Sequence, residues 1–80
     1  MTTVNVLYFA SLRDASGVAS ERVESDAANL QALYAELQSR HDFGLPAASL
    51  RVAADGEFVQ WRDALREGSE IAFIPPVSGG

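Results

Sequence analysis

The chain has 80 residues, 48% of them hydrophobic, no cysteine and a formal net charge of −5. That is one domain with enough apolar content for a small core, and it excludes a disulfide framework or a thiolate metal site. There is no lysine, and the six arginines (Arg13, Arg22, Arg40, Arg51, Arg62 and Arg66) are scattered, which argues against a nucleic acid partner, because phosphate binding needs concentrated basic charge.

Thr3 to Phe9 reads as the first strand: Val4, Val6, Leu7, Tyr8 and Phe9 are interrupted only by Asn5, a pattern suited to a central strand covered on both faces. Ala10 to Ala15 is expected to make a helical turn stopped by Gly17. Val18 to Ser25 alternates imperfectly and reads as a half-exposed edge strand.

Asn29 is a good helix N-cap. After it, Leu30, Leu33, Tyr34 and Leu37 fall at i, i+3, i+4 and i+7, the apolar stripe of an amphipathic helix. Glu36 and Arg40 are four apart in the favourable order for a surface pair. The helix is expected over Leu30 to Arg40, because Gly44 and Pro46 resist continuation. His41 to Ser49 then forms a loop, with His41 a solvated loop residue.

Leu50 to Ala54 and Glu57 to Gln60 predict a hairpin about Asp55-Gly56, a pair suited to a type I′ turn. Trp61 and Leu65 lie on a connection that turns at Glu67-Gly68-Ser69, and Glu70 to Ile74 is the last strand. One helix cannot cover both faces of a sheet, so the order predicts a two-layer α+β domain over residues 1–80. Its mixed sheet packs one helix on one face, with the first and last strands central and parallel.

The ending Pro75-Pro76-Val77-Ser78-Gly79-Gly80 stands apart. Two prolines give no ladder N–H and fix φ near −65°, so they end the strand and favour an extended exit. Fully extended, Pro75 to Gly80 reaches roughly 20 Å. The geometry predicts a thin, flexible arm over residues 77–80, its carboxylate able to enter a tunnel too narrow for a Cβ. An ordinary loose terminus is the competing reading.

No internal catalytic constellation is visible. His41 is the only histidine, the serines have no nearby partner for a triad, and the carboxylates lack metal-ligand spacing. Gly79-Gly80 precedes no helix and so makes no phosphate loop. No apolar run approaches the ~20 residues that span a bilayer. Val4 to Leu12 lacks a basic region before it and is broken by Asn5 and Ser11, unlike a signal peptide. A cytoplasmic protein without a membrane partner is expected. The terminal carboxylate is then the group left to carry chemistry. It acylates nothing until it is joined to a leaving group such as AMP, after which a sulfur or nitrogen nucleophile can attack and the chain becomes a covalent carrier.

Val6-Leu7-Tyr8-Phe9-Ala10-Ser11-Leu12-Arg13, Leu65-x-x-Gly68-x-Glu70-Ile71-Ala72-Phe73 and Pro75-Pro76-Val77-Ser78-Gly79-Gly80 together resemble the molybdopterin synthase small-subunit family. This is a family of sulfur carriers with the ubiquitin-like β-grasp fold, related to the thiamine sulfur carrier. The resemblance covers essentially the whole chain, and the tail is its most specific part. It implies that an activating enzyme adenylates Gly80 using ATP and Mg²⁺, and that sulfur transfer makes a Gly80 thiocarboxylate. The tail, including Gly79, then enters the active site of the large synthase subunit and gives sulfur to a cyclic pterin phosphate precursor. The chain would thus be a non-catalytic, sulfur-donating subunit without a permanently bound cofactor, in a heterotetramer of two small and two large subunits. The resemblance places Phe9, Phe58, Ile74, Pro75, Pro76, Val77 and Ser78 at the partner interface. Ala53-Ala54 before Asp55-Gly56 departs from a Val-Asn pair found in many relatives, and touches only the hairpin. A carrier for thiamine or cysteine synthesis, and a protein modifier or interaction module, remain as alternatives; the Pro-Pro ending and the length weigh against thiamine.

Overall fold

Five strands form one mixed sheet, and a single long helix lies across one side of it. The computed structural model describes residues 1–75. The elements run β1 (Thr2–Tyr8), α1 (Ala10–Ser16), β2 (Ser20–Ser25), α2 (Leu30–His41), a 3₁₀ turn at Ala47–Ser49, β3 (Arg51–Ala54), β4 (Glu57–Phe58) and β5 (Glu70–Ile74). The sheet order is β2-β1-β5-β3-β4. As expected, β1 and β5 pair in parallel inside the sheet, with Val6 opposite Ile71 and Tyr8 opposite Phe73, and β2 lies at an edge. The first strand therefore finds its central partner only when the last one is in place.

The helix-facing side is the core. Val4, Val6 and Tyr8 of β1, Val23 of β2, Val52 of β3, and Ile71 and Phe73 of β5 are all buried there against Leu30, Leu33, Tyr34 and Leu37. The stripe read from the 3.6-residue period is thus the one that packs. Covering of β1 on both faces does not occur. Asn5 is exposed and Leu7 only half-buried, because the one long helix packs on the opposite side and leaves this face open.

Both ends of α2 are closed by specific bonds. The Asn29 side chain accepts from the Ala32 amide at 2.8 Å. The Leu30 and Gln31 amides donate to the carbonyls of Asp63 and Trp61, each at 3.0 Å. Three amides that a helix N-terminus leaves orphaned are thereby satisfied, two of them by the connection ahead of β5. The helix runs one residue beyond Arg40 and stops at Asp42 in the left-handed region, φ 57°. Arg40 and His41 sit in the last turn, where positive charge favours the helix dipole.

At the hairpin, Asp55 and Gly56 have φ of 51° and 86°. Two successive positive values are what a type I′ turn requires. The second strand is shorter than expected, two residues in place of Glu57 to Gln60. Past Val59 the chain folds back: the Gln60 amide donates to the Asp63 carboxylate at 3.0 Å, and Trp61 stacks on Phe73 with centroids 5.7 Å apart. Packing under the sheet end and capping of α2 thus replace the ladder there.

Candidate functional site: the open face of the sheet

Side chains on the uncovered face follow from register. Leu7 pairs with Ala72, Ala72 with Ala53, and Ala53 with Phe58, so one apolar row crosses β1, β5, β3 and β4. The next row toward the tail holds Ile74 and, opposite it, Arg51. Phe9 follows Tyr8, the partner of Phe73, in extended backbone (φ −125°, ψ 150°). It therefore continues the alternation at the level of Ile74. The three apolar residues expected at a partner surface, Phe9, Phe58 and Ile74, share this face. Phe58 is 67% and Phe9 45% exposed, unlike Trp61, which packs into the core.

The face is graded along the strands. Away from the tail, Asn5 pairs with Arg22 and Glu70, and Thr3 with Glu24, so that end is polar. Toward Pro75 the row is Phe9, Ile74 and Arg51, with the Arg51 guanidinium 5.7 Å above the Phe58 ring. Exposed Phe and half-buried Ile, Leu and Ala grouped at the point where the chain leaves the sheet are what an interface core requires. Pro75, also expected at the interface, lines a hollow on this face together with Phe58 and Ile74. Pro76, Val77, Ser78, Gly79 and Gly80, the remaining expected site residues, lie outside the described residues, as does the expected flexible arm.

Sequence reading missed Leu7, Ala72, Ala53 and Arg51 as parts of this face. The usable signal was the period of two: each is spaced by two or four residues from a residue assigned to the face, or pairs with one across the sheet.

His41 is not solvated. Its Nε2 lies 2.6 Å from Glu21 Oε2, and its side chain is only 17% exposed. The same carboxylate accepts from the Tyr8 hydroxyl, and Arg40 Nη1 is 3.7 Å from its other oxygen. Burial works against the Glu21 charge, but the hydrogen bonds from Tyr8 and His41 and the charges of His41 and Arg40 outweigh it. They hold the carboxyl below its ordinary range. Burial, aided by the Glu21 contact, pushes the Tyr8 phenol well above its usual value. Arg40 thus turns to Glu21 across the fold and away from Glu36, which accepts from Ser25. This cluster ties β1, β2 and the end of α2 together. Among the described residues no group of three His, Asp or Glu side chains could hold a metal ion, and no helix is long and apolar enough to cross a membrane.

Against known proteins, the model of the ThiS family matches residues 6–80. The molybdopterin synthase sulfur carrier subunit of Haemophilus influenzae is 36% identical over 80 residues, covering 96% of this chain and 99% of that one. Among solved structures, a Pyrococcus furiosus protein assigned as molybdopterin converting factor subunit 1 aligns with a TM-score of 0.79 at 29% identity, covering 96% of this chain and all of the other. The small archaeal modifier protein 1 of Haloferax volcanii aligns with a TM-score of 0.80 at 25% identity, again over 96% of this chain and all of that one.

Proposed function

The chain belongs to the ThiS family, and we propose that it is the sulfur carrier subunit of a molybdopterin synthase. The observation that carries this reading is the 36% identity, over nearly the full length of both chains, to a protein of that name. The open face supports it. A carrier must dock twice, on an activating enzyme and on the large synthase subunit, and present its terminus each time. An exposed apolar patch at the root of the tail serves both needs, because contacts made there fix the direction in which the tail enters.

The chemistry follows from the terminal group. The activating enzyme uses ATP and Mg²⁺ to join the Gly80 carboxylate to AMP: the carboxylate attacks the α-phosphorus and pyrophosphate leaves. Sulfur at the sulfide level then attacks the acyl carbon, AMP leaves, and a thiocarboxylate remains. Docked on the large subunit, within an assembly of two small and two large chains, the Gly80 thiocarboxylate gives its sulfur to the cyclic pterin phosphate precursor. Gly79 and Gly80 keep the tail narrow enough for closed sites that exclude water from both reactive acyl species.

A second reading is favoured by the likeness to an archaeal modifier protein: the same activated Gly80 forms an isopeptide bond with a lysine. Intact mass separates the two. With the cognate activating enzyme, ATP and a sulfur donor, a carrier gains about 16 Da, one oxygen exchanged for sulfur. Transfer of that sulfur to the pterin precursor by the large subunit completes the test. Conjugates to lysine, with no pterin sulfuration, would select the modifier reading.

A further inference from the structure

A hollow of about 370 Å³ opens on the uncovered face beside the root of the tail. Phe58, Ile74 and Pro75 line it on the apolar side, and Arg51 and Ser49 are its polar lining residues. Among the described residues no acid lines it, although the chain carries eleven acidic residues and a net charge of −5. Arg51 is exposed, and among the described residues no carboxylate lies within ion-pair distance of it. Its guanidinium rests over the Phe58 ring, a contact that orients a planar cation without using its N–H donors. The hydroxyl of Ser49, which also lines the hollow, makes no hydrogen bond within the described residues. A recess with an apolar side, one pre-oriented cation and one hydroxyl unbonded among the described residues complements a carboxylate on a short aliphatic stem.

We propose that this hollow receives an aspartate or glutamate side chain of the large synthase subunit, its carboxylate paired with Arg51 and accepting from Ser49 while its methylenes lie on Phe58 and Ile74. The proposal rests on the carrier reading above. It gives the docking face a specificity element beside its apolar patch: in a mostly acidic protein, a partner acid is welcome here and opposed by neighbouring charge elsewhere. Docking at this point also sets the direction of Pro75, and hence of the tail.

Binding of the purified large subunit by wild type, Arg51→Met, Arg51→Glu, Ser49→Ala and Phe58→Asp, measured by calorimetry across a series of salt concentrations, tests it. Thermal melts check that each variant is folded. Arg51→Met strands a partner carboxylate in the interface, so affinity should fall roughly 10- to 100-fold. Arg51→Glu should fall further, Ser49→Ala by about 3- to 10-fold, and the decline of affinity with salt should flatten in Arg51→Met. Arg51→Met binding within twofold of wild type overturns the proposal. So does an Arg51→Met loss with an unchanged salt dependence, which would mean that Arg51 acts only by stacking on Phe58. If Phe58→Asp also binds like wild type, the docking reading itself fails; if Phe58→Asp alone is impaired, only the carboxylate assignment does.

Discussion

His41 and Glu21 come within 2.6 Å of each other across the fold, from the last turn of α2 and the edge strand β2. Arg40 and the Tyr8 hydroxyl share the same carboxylate. A ring nitrogen, a guanidinium and a phenol converging on one acid pin the end of the helix over the antiparallel pairing of β1 with β2.

This cluster makes stability depend on pH. The folded-state carboxyl of Glu21 is held below its ordinary value of 4.5, so its contribution is present above that value and is lost as pH falls through the lower folded value. Glu21→Gln removes the charge while keeping the shape. It should lower stability by about 1–2 kcal/mol at neutral pH, with the difference from wild type shrinking under acid. Urea midpoints of both proteins at pH 7 and near pH 3 check this; a constant gap would show that the charge on Glu21 is not what matters.

Leu33 is fully buried at the middle of the α2 stripe. Leu33→Ala should cost roughly 2–5 kcal/mol, the transfer of the lost methyls plus the cavity they leave. In a domain of this size that is a large share of the total. The expected reading is a clear drop in urea midpoint with an unchanged slope.

Phe58 is 67% exposed on a two-residue strand. Phe58→Asp should leave the melting temperature within a few degrees of wild type, since little packing is lost, and should weaken binding to the large subunit by about 2 kcal/mol or more if the ring is an interface anchor. Paired melts and titrations separate the two effects. An unfolded variant would mean that Phe58 supports the fold and is no anchor.

Removing Gly80 moves the terminal carboxylate back by roughly 3.5 Å. A displacement of even about 1 Å can cost ~100-fold in rate, so the shortened chain should neither gain the thiocarboxylate mass nor support pterin sulfuration, while its thermal melt stays as in wild type. Mass spectra of the products, taken beside the melts, decide it. A shortened chain charged as well as wild type would remove Gly80 from the mechanism.

Local order was legible along the chain because its causes are local. Asn29 caps α2, the 3.6-residue period of Leu30, Leu33, Tyr34 and Leu37 names its buried stripe, and Asp55-Gly56 supplies the positive φ values of its turn. The central, parallel placement of β1 and β5 fitted the order of the elements, although the apolar run of β1 also suggested a covering of both faces that one helix does not supply. What the sequence alone could not reveal is which residues from distant segments meet. His41 looked like a loop residue because Glu21, twenty positions away, is its neighbour only after β2 and α2 pack. Glu36 and Arg40 had the spacing of a pair, yet each is taken by a partner across the fold, Ser25 and Glu21, since a partly buried contact outweighs a solvated one on the helix surface. The open face is of the same kind: Leu7, Ala72, Ala53 and Phe58 become one row, and Arg51 its flanking cation, only through a register that no single segment contains. Periodicity says which side of a strand each residue takes; only the pairing of strands says what stands beside it.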